Sequence, residues 1–119
     1  MIVLKTNAEL EKMRVASRIT AEAIELAGEY VKPGVSTLEL DTIAEKYIRS
    51  QGAEPNFLHL YDFPNTACIS VNEEIIHGIP KKDRILIPVG SFFVRMRQLL
   101  SKRKTFCRSF TNKGEKTRE

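Results

Sequence analysis

The residues able to do chemistry in this 119-residue chain are few, and they cluster between positions 57 and 80. His77 stands in a tight run, Glu74-Ile75-Ile76-His77-Gly78-Ile79-Pro80, the other histidine being His59. An imidazole changes protonation near neutral pH, so His77 is suited to donate to, or exchange a proton with, a substrate group. Gly78 is expected to leave space beside it, and Pro80 fixes the chain just beyond. The plain reading of His77 is a partly buried histidine bonded to backbone. Cys68 reads first as a small packed hydrophobe on a strand, with no neighbouring base in the sequence to activate it. Phe57, Tyr61 and Phe63 read as core aromatics or as the lining of an apolar pocket. There is no Gly-rich phosphate loop, no CxxC and no His-x-x-x-His pair, and a metal centre needs several converging His, Cys, Asp or Glu ligands.

Two amphipathic helices precede this segment. Thr6-Asn7-Ala8-Glu9 is a capping-box pattern, and Met13, Ala16, Ile19, Ala23, Ala27 and Val31 then recur at helical spacing. Pro33-Gly34 stops that helix. Ser36-Thr37-Leu38-Glu39 opens the next, with Leu40, Ile43, Ala44, Tyr47 and Ile48 as its buried face and Gly52 as its C-terminal signal. The acidic residues of 1–52 are expected mostly on solvent faces. Glu54-Pro55-Asn56 is a turn. Residues 67–79 read as a β-hairpin, with Cys68-Ile69-Ser70-Val71 outgoing and Ile75 to Pro80 returning. Lys81-Lys82-Asp83-Arg84 is a polar loop. Beyond it, Phe92, Phe93, Met96, Leu99 and Leu100 share a helical face, with Arg95 and Arg97 opposite.

The charge is unevenly spread. Residues 1–86 hold 10 Lys and Arg against 13 Asp and Glu, net −3, whereas 87–119 hold 9 against 2, net +7. The overall +4 therefore comes from the end of the chain, and a whole-protein basic surface for nucleic acid is excluded. No run approaches the ~20 apolar residues of a membrane span. Met1-Ile2-Val3-Leu4 passes at once into polar residues, unlike a signal peptide. Cys68 and Cys107 read as free thiols of a reducing compartment, so a cytoplasmic location is expected.

Residues 65–80, Asn-Thr-Ala-Cys-Ile-Ser-Val-Asn-Glu-Glu-Ile-Ile-His-Gly-Ile-Pro, resemble the type I methionine aminopeptidases, in which an A-C-I-S-V-N-E segment leads into H-G-I-P. The opening helix around Met13 to Ala16, the Pro33 to Thr37 turn and Leu40-Asp41 fit as well, so the resemblance covers about residues 1–86. It implies an α/β (α+β) architecture: the N-terminal part of a pita-bread fold, two helices on a small antiparallel sheet. It implies a metal-dependent hydrolase that removes the N-terminal methionine from nascent polypeptides. A hydroxide held between two divalent ions (Co, Mn, Fe or Zn) attacks the first peptide carbonyl in that family. By position, His77 matches a histidine that is not a metal ligand and that bonds near the scissile amide to assist proton transfer. Phe63 and Cys68 match positions lining the methionine side-chain pocket, and Leu60 is a weaker match there.

The family pattern is lost after Arg84-Ile85-Leu86, where relatives continue towards a strand ending Asp-Val-Gly with the first metal ligand. After Leu86 this chain has no Asp and no His, and its only acids are Glu115 and Glu119. All five ligand positions of the family are thus missing, so no metal is expected to bind and no turnover is expected. The expected organisation is a truncated aminopeptidase-like domain, 1–86, and a divergent basic tail, 87–119. A change of coding frame near Leu86 is the favoured account of the tail, a foreign basic extension the other. The competing functional class is a non-enzymatic protein whose tail contacts RNA, a ribosome or an acidic surface.

Overall fold

Both helices form where their caps place them. In the computed structural model α1 spans Asn7–Glu29 and α2 spans Thr37–Ser50. Thr6 accepts from the Glu9 amide at 3.2 Å while the Glu9 carboxylate accepts from the Thr6 amide at 2.7 Å. Ser36 and Glu39 repeat the exchange at 3.2 and 2.8 Å. Each box satisfies two amides that the first helical turn leaves without partners. The structure describes residues 3–55, 58, 62–75 and 77–87, and the backbone of 93–101, 104–111 and 116–117.

The buried stripe of α1 is Ile19, Thr20, Ala23, Ile24 and Ala27. The helix ends at Glu29, so Val31 packs on the core from beyond its end. Gly34 follows at φ +92°, a left-handed conformation that costs glycine least. From α2, Leu40, Ala44 and Ile48 are buried. One core cluster joins Ile24, Ala27, Leu40 and Ala44 to Ala67, Ile69, Val71 and Leu86. A smaller one joins Ile19, Ala23 and Ile48.

The sheet lies beneath the helices. Among the described residues it has four strands in the order β1-β2-β3-β4, all antiparallel, formed by Cys68–Val71, Phe93–Ser101, Lys104–Thr111 and Lys116–Thr117. Cys68 pairs with Arg97 and Val71 with Val94, and the β2–β3 ladder has an irregularity between Leu99 and Ser101. The segment 34–37 is tied to 84–86 by Gly34 N to Leu86 O, Leu86 N to Val35 O and Thr37 N to Arg84 O, at 2.7 to 2.9 Å.

Two sequence expectations give way here. The helical face drawn through Phe93, Met96, Leu99 and Leu100 is a β-strand, and Phe92 lies outside the described residues. A short apolar run has no decisive period of its own, and pairing with β1 and β3 decides its conformation. The 67–79 hairpin also fails to close. β1 forms, but its ladder partner is β2, and residues 77–80 are not a strand. His77 is at φ +55°, which breaks extended backbone, and Pro80 has no amide to give a ladder.

Candidate functional site

The site segment is folded against β1 by a small set of long-range polar contacts. Residues 65–67 enter β1 over the buried carboxylate of Asp41 on α2, which is 3% exposed. Asp41 accepts from the Ala67 amide at 2.7 Å and from the Asn65 side-chain amide at 3.1 Å. Burial raises its carboxyl above the usual range, and the Asn65, Ala67 and Thr66 hydrogen bonds oppose that rise. Asp41 is thus an exception to the mostly solvent-facing acids expected in 1–52. Its neighbours in sequence do not reveal its burial, because its partners lie 24 and 26 positions further on.

After β1, Asn72 turns the chain at φ +51° and Glu74 N returns to Val71 O at 3.1 Å. Arg84 braces this turn. Its guanidinium donates to Val71 O at 3.3 Å and to Glu73 at 2.6 Å, and its Nε lies 3.2 Å from Glu74. Gly78 then docks on β1: Ile69 N donates to Gly78 O at 2.9 Å, and Gly78 N donates to the Ser70 hydroxyl at 3.1 Å. A β-carbon at position 78 would run into the Ile69 carbonyl and lie 2.8 Å from the Glu74 carboxylate. Gly78 thus allows close backbone approach rather than leaving room beside His77.

This docking places His77 over Cys68. The imidazole Nδ1 lies 3.8 Å from the Cys68 sulfur. Cys68 is 3% exposed within β1, while His77 is exposed and Phe63 half-buried. Cys68 therefore does have a titratable partner, nine residues away in the chain. The non-glycine left-handed backbone at His77 is the kind of strain that persists only where surrounding contacts enforce it. Of the four sequence-predicted site residues, His77 and Cys68 are in direct contact, Phe63 precedes them on the segment leading to β1, and Leu60 lies outside the described residues. A separate cleft of about 740 Å³, lined by Tyr30, Val35, Leu38, Thr42, Ile43 and Ile85 among others, shares no residue with this wall.

Among the described residues no three His, Cys, Asp or Glu side chains converge as a metal site. Asp41 is committed to the Asn65–Ala67 turn, and His77 faces a single sulfur. The described residues do not fit a dinuclear centre. Among the described residues no helix is long and apolar enough to cross a membrane.

Comparison with known proteins places this arrangement. The profile of the Metallopeptidase family M24 matches residues 11–97. Methionine aminopeptidase of Clostridium perfringens is 50% identical over 80 residues, covering 67% of this chain and 32% of that protein. Methionine aminopeptidase 1 of Bacillus subtilis is 51% identical over 80 residues, with the same shares. The crystal structure of methionine aminopeptidase from Rickettsia prowazekii superposes with a TM-score of 0.75 at 29% identity, over 93% of this chain and 44% of that one. The chain spans about a third of the length of the curated relatives it matches. Its two helices and sheet are the amino-terminal part of the pita-bread fold, and the family's chemistry relies on divalent metal. With half its length and more matched by the profile, this chain belongs to metallopeptidase family M24.

Proposed function

We propose that this chain carries the substrate-facing wall of a methionine-aminopeptidase site without the metal-binding part. The observation that supports it is the docking of His77 onto the Cys68 strand, in a segment where the curated relatives carry the name methionine aminopeptidase. In this reading Phe63, Cys68 and Leu60 receive the methionine side chain of a nascent polypeptide, a ring and a soft sulfur suiting a thioether. His77, which is exposed, hydrogen-bonds near the scissile amide and is the catalytic proton-transfer group. Hydrolysis in the complete relatives uses two divalent ions (Co, Mn, Fe or Zn). The 119-residue chain supplies no fitting ligand set among its described residues and no Asp or His after Leu86, so by itself it is inactive.

The charge step at Leu86 supports a division into an aminopeptidase-like part, 1–86, and a basic part, 87–119. Contact of the basic part with RNA or a ribosome would be weak, sequence-independent and lost at physiological salt, since it rests on counterion release. A cytoplasmic location belongs to the same reading.

The test is binding of L-methionine amide to the labelled chain, followed by NMR. Shifts concentrated at Phe63, Cys68 and His77, and weaker with an alanine amide, are expected. Shifts spread without preference, or equal for the two amides, would overturn the proposal.

A further inference from the structure

A neutral imidazole is a donor at one nitrogen and an acceptor at the other, and what His77 offers a substrate depends on which nitrogen holds the proton. The surroundings of Nδ1 bear on that choice. Nδ1 faces the Cys68 sulfur at 3.8 Å. Cys68 is buried in β1 beside Ile69 and Val71, whereas His77 is exposed. An apolar surround of this kind favours the neutral S–H over a poorly solvated thiolate. A protonated thiol is a donor as well as a weak acceptor, and where it donates, the ring nitrogen it meets is the acceptor. The two ring nitrogens point in divergent directions, so a ring whose Nδ1 is turned to β1 has Nε2 turned away from it.

The contact is enforced by the backbone. The left-handed conformation of His77 and the close docking of Gly78 on Ile69 and Ser70 hold the ring's attachment point against β1. We propose that Cys68 is a positioning residue that sets the tautomer of His77: its S–H donates to Nδ1, and Nε2–H is presented outward as a donor. The substrate atom that meets His77 is then an acceptor, a peptide carbonyl oxygen or the leaving nitrogen, and not an amide N–H. This rests on the reading of His77 as the substrate-facing group, and it gives Cys68 a second role beyond lining the pocket.

The experiment is a long-range proton–nitrogen correlation of the histidine rings in the full 119-residue chain, at a pH about 1.5 units above the ordinary histidine value of ~6.5. In the wild type, Nε2 should carry the proton in excess of Nδ1 by roughly fivefold or more. Nδ1 should resonate as a hydrogen-bonded acceptor. Cys68→Ala should move Nδ1 to the position of an unbonded acceptor and lower that excess, and Cys68→Ser should restore both. A wild-type ring protonated at Nδ1, or a Cys68→Ala spectrum identical to wild type at both nitrogens, would overturn the proposal. If the alanine variant does not fold, the wild-type spectrum alone decides by the first criterion. No turnover or ligand is needed, so this result and the methionine amide result fail or succeed separately.

Discussion

The helical layer and the site segment are stabilised by different means. α1 and α2 draw on local caps and on apolar stripes buried in two clusters. Residues 65–80 share one of those clusters through Ala67, Ile69 and Val71, and add single polar contacts: Asp41 beneath Ala67, Ser70 beneath Gly78, Arg84 around Val71 to Glu74. An apolar stripe spreads its stabilisation over many atoms, so one lost cap or methyl group is tolerated. A buried polar contact is concentrated, and removing one partner leaves the other unsatisfied. The entry to β1 and the turn after it are therefore the more fragile part, and Asp41 and Arg84 hold them from outside the segment.

Gly78→Ala should break this contrast open most widely. The new methyl group cannot avoid the Ile69 carbonyl without pulling the segment off β1. A loss of about 3 kcal/mol or more is expected in denaturant unfolding, an overpacking cost compounded by broken backbone bonds. An unchanged midpoint would show that the segment is not docked as described.

Asp41→Ala comes next. It strips the acceptor from the buried Ala67 amide, and about 2 kcal/mol should be lost. Asp41 also gives a pH signature. Its carboxyl is raised in the folded chain, chiefly by burial, so the folded state binds its proton more tightly than the unfolded state does. That contribution is full below the unfolded value of about 3.9 and is lost as pH rises through the folded value. Relative to Asp41→Asn, the wild type should lose stability as pH climbs above about 4. A difference that stays flat as the pH rises from acid through neutral would contradict it.

The smallest effects belong to the helices. Ser36→Ala removes the cap of α2 at the junction where 34–37 is bonded to 84–86, and about 1 kcal/mol should be lost. Thr6→Ala, at an exposed helix end, should cost about half as much. Both are read from unfolding midpoints, and equal losses would show that the junction adds nothing to the cap.

The same contrast explains what is legible in the sequence. The capping boxes at Thr6 and Ser36 and the stripes through Ile19 to Ala27 and Leu40 to Ile48 are local patterns, and the structure follows them. Residues 93–101 carry a helical spacing yet form a strand, because strand identity there depends on β1 and β3, which periodicity within one segment does not contain. Gly78 acts opposite to its sequence expectation because its role depends on Ile69, nine residues away. Asp41 escapes a sequence reading for the same reason. His77, Cys68, Phe63 and Leu60 are legible as site candidates chiefly through the resemblance of residues 65–80 to an aminopeptidase segment. The contact between Cys68 and His77 emerges only from the fold.

In the function proposed above, this chain holds a substrate-facing wall without the metal set that would make it an enzyme. The most direct measurement is methionine release from a Met-Ala peptide by the purified 119-residue chain with added Co²⁺ or Mn²⁺. None is expected, because no described cluster and no Asp or His after Leu86 supplies the ligands. Metal-dependent release that disappears in His77→Ala would contradict it.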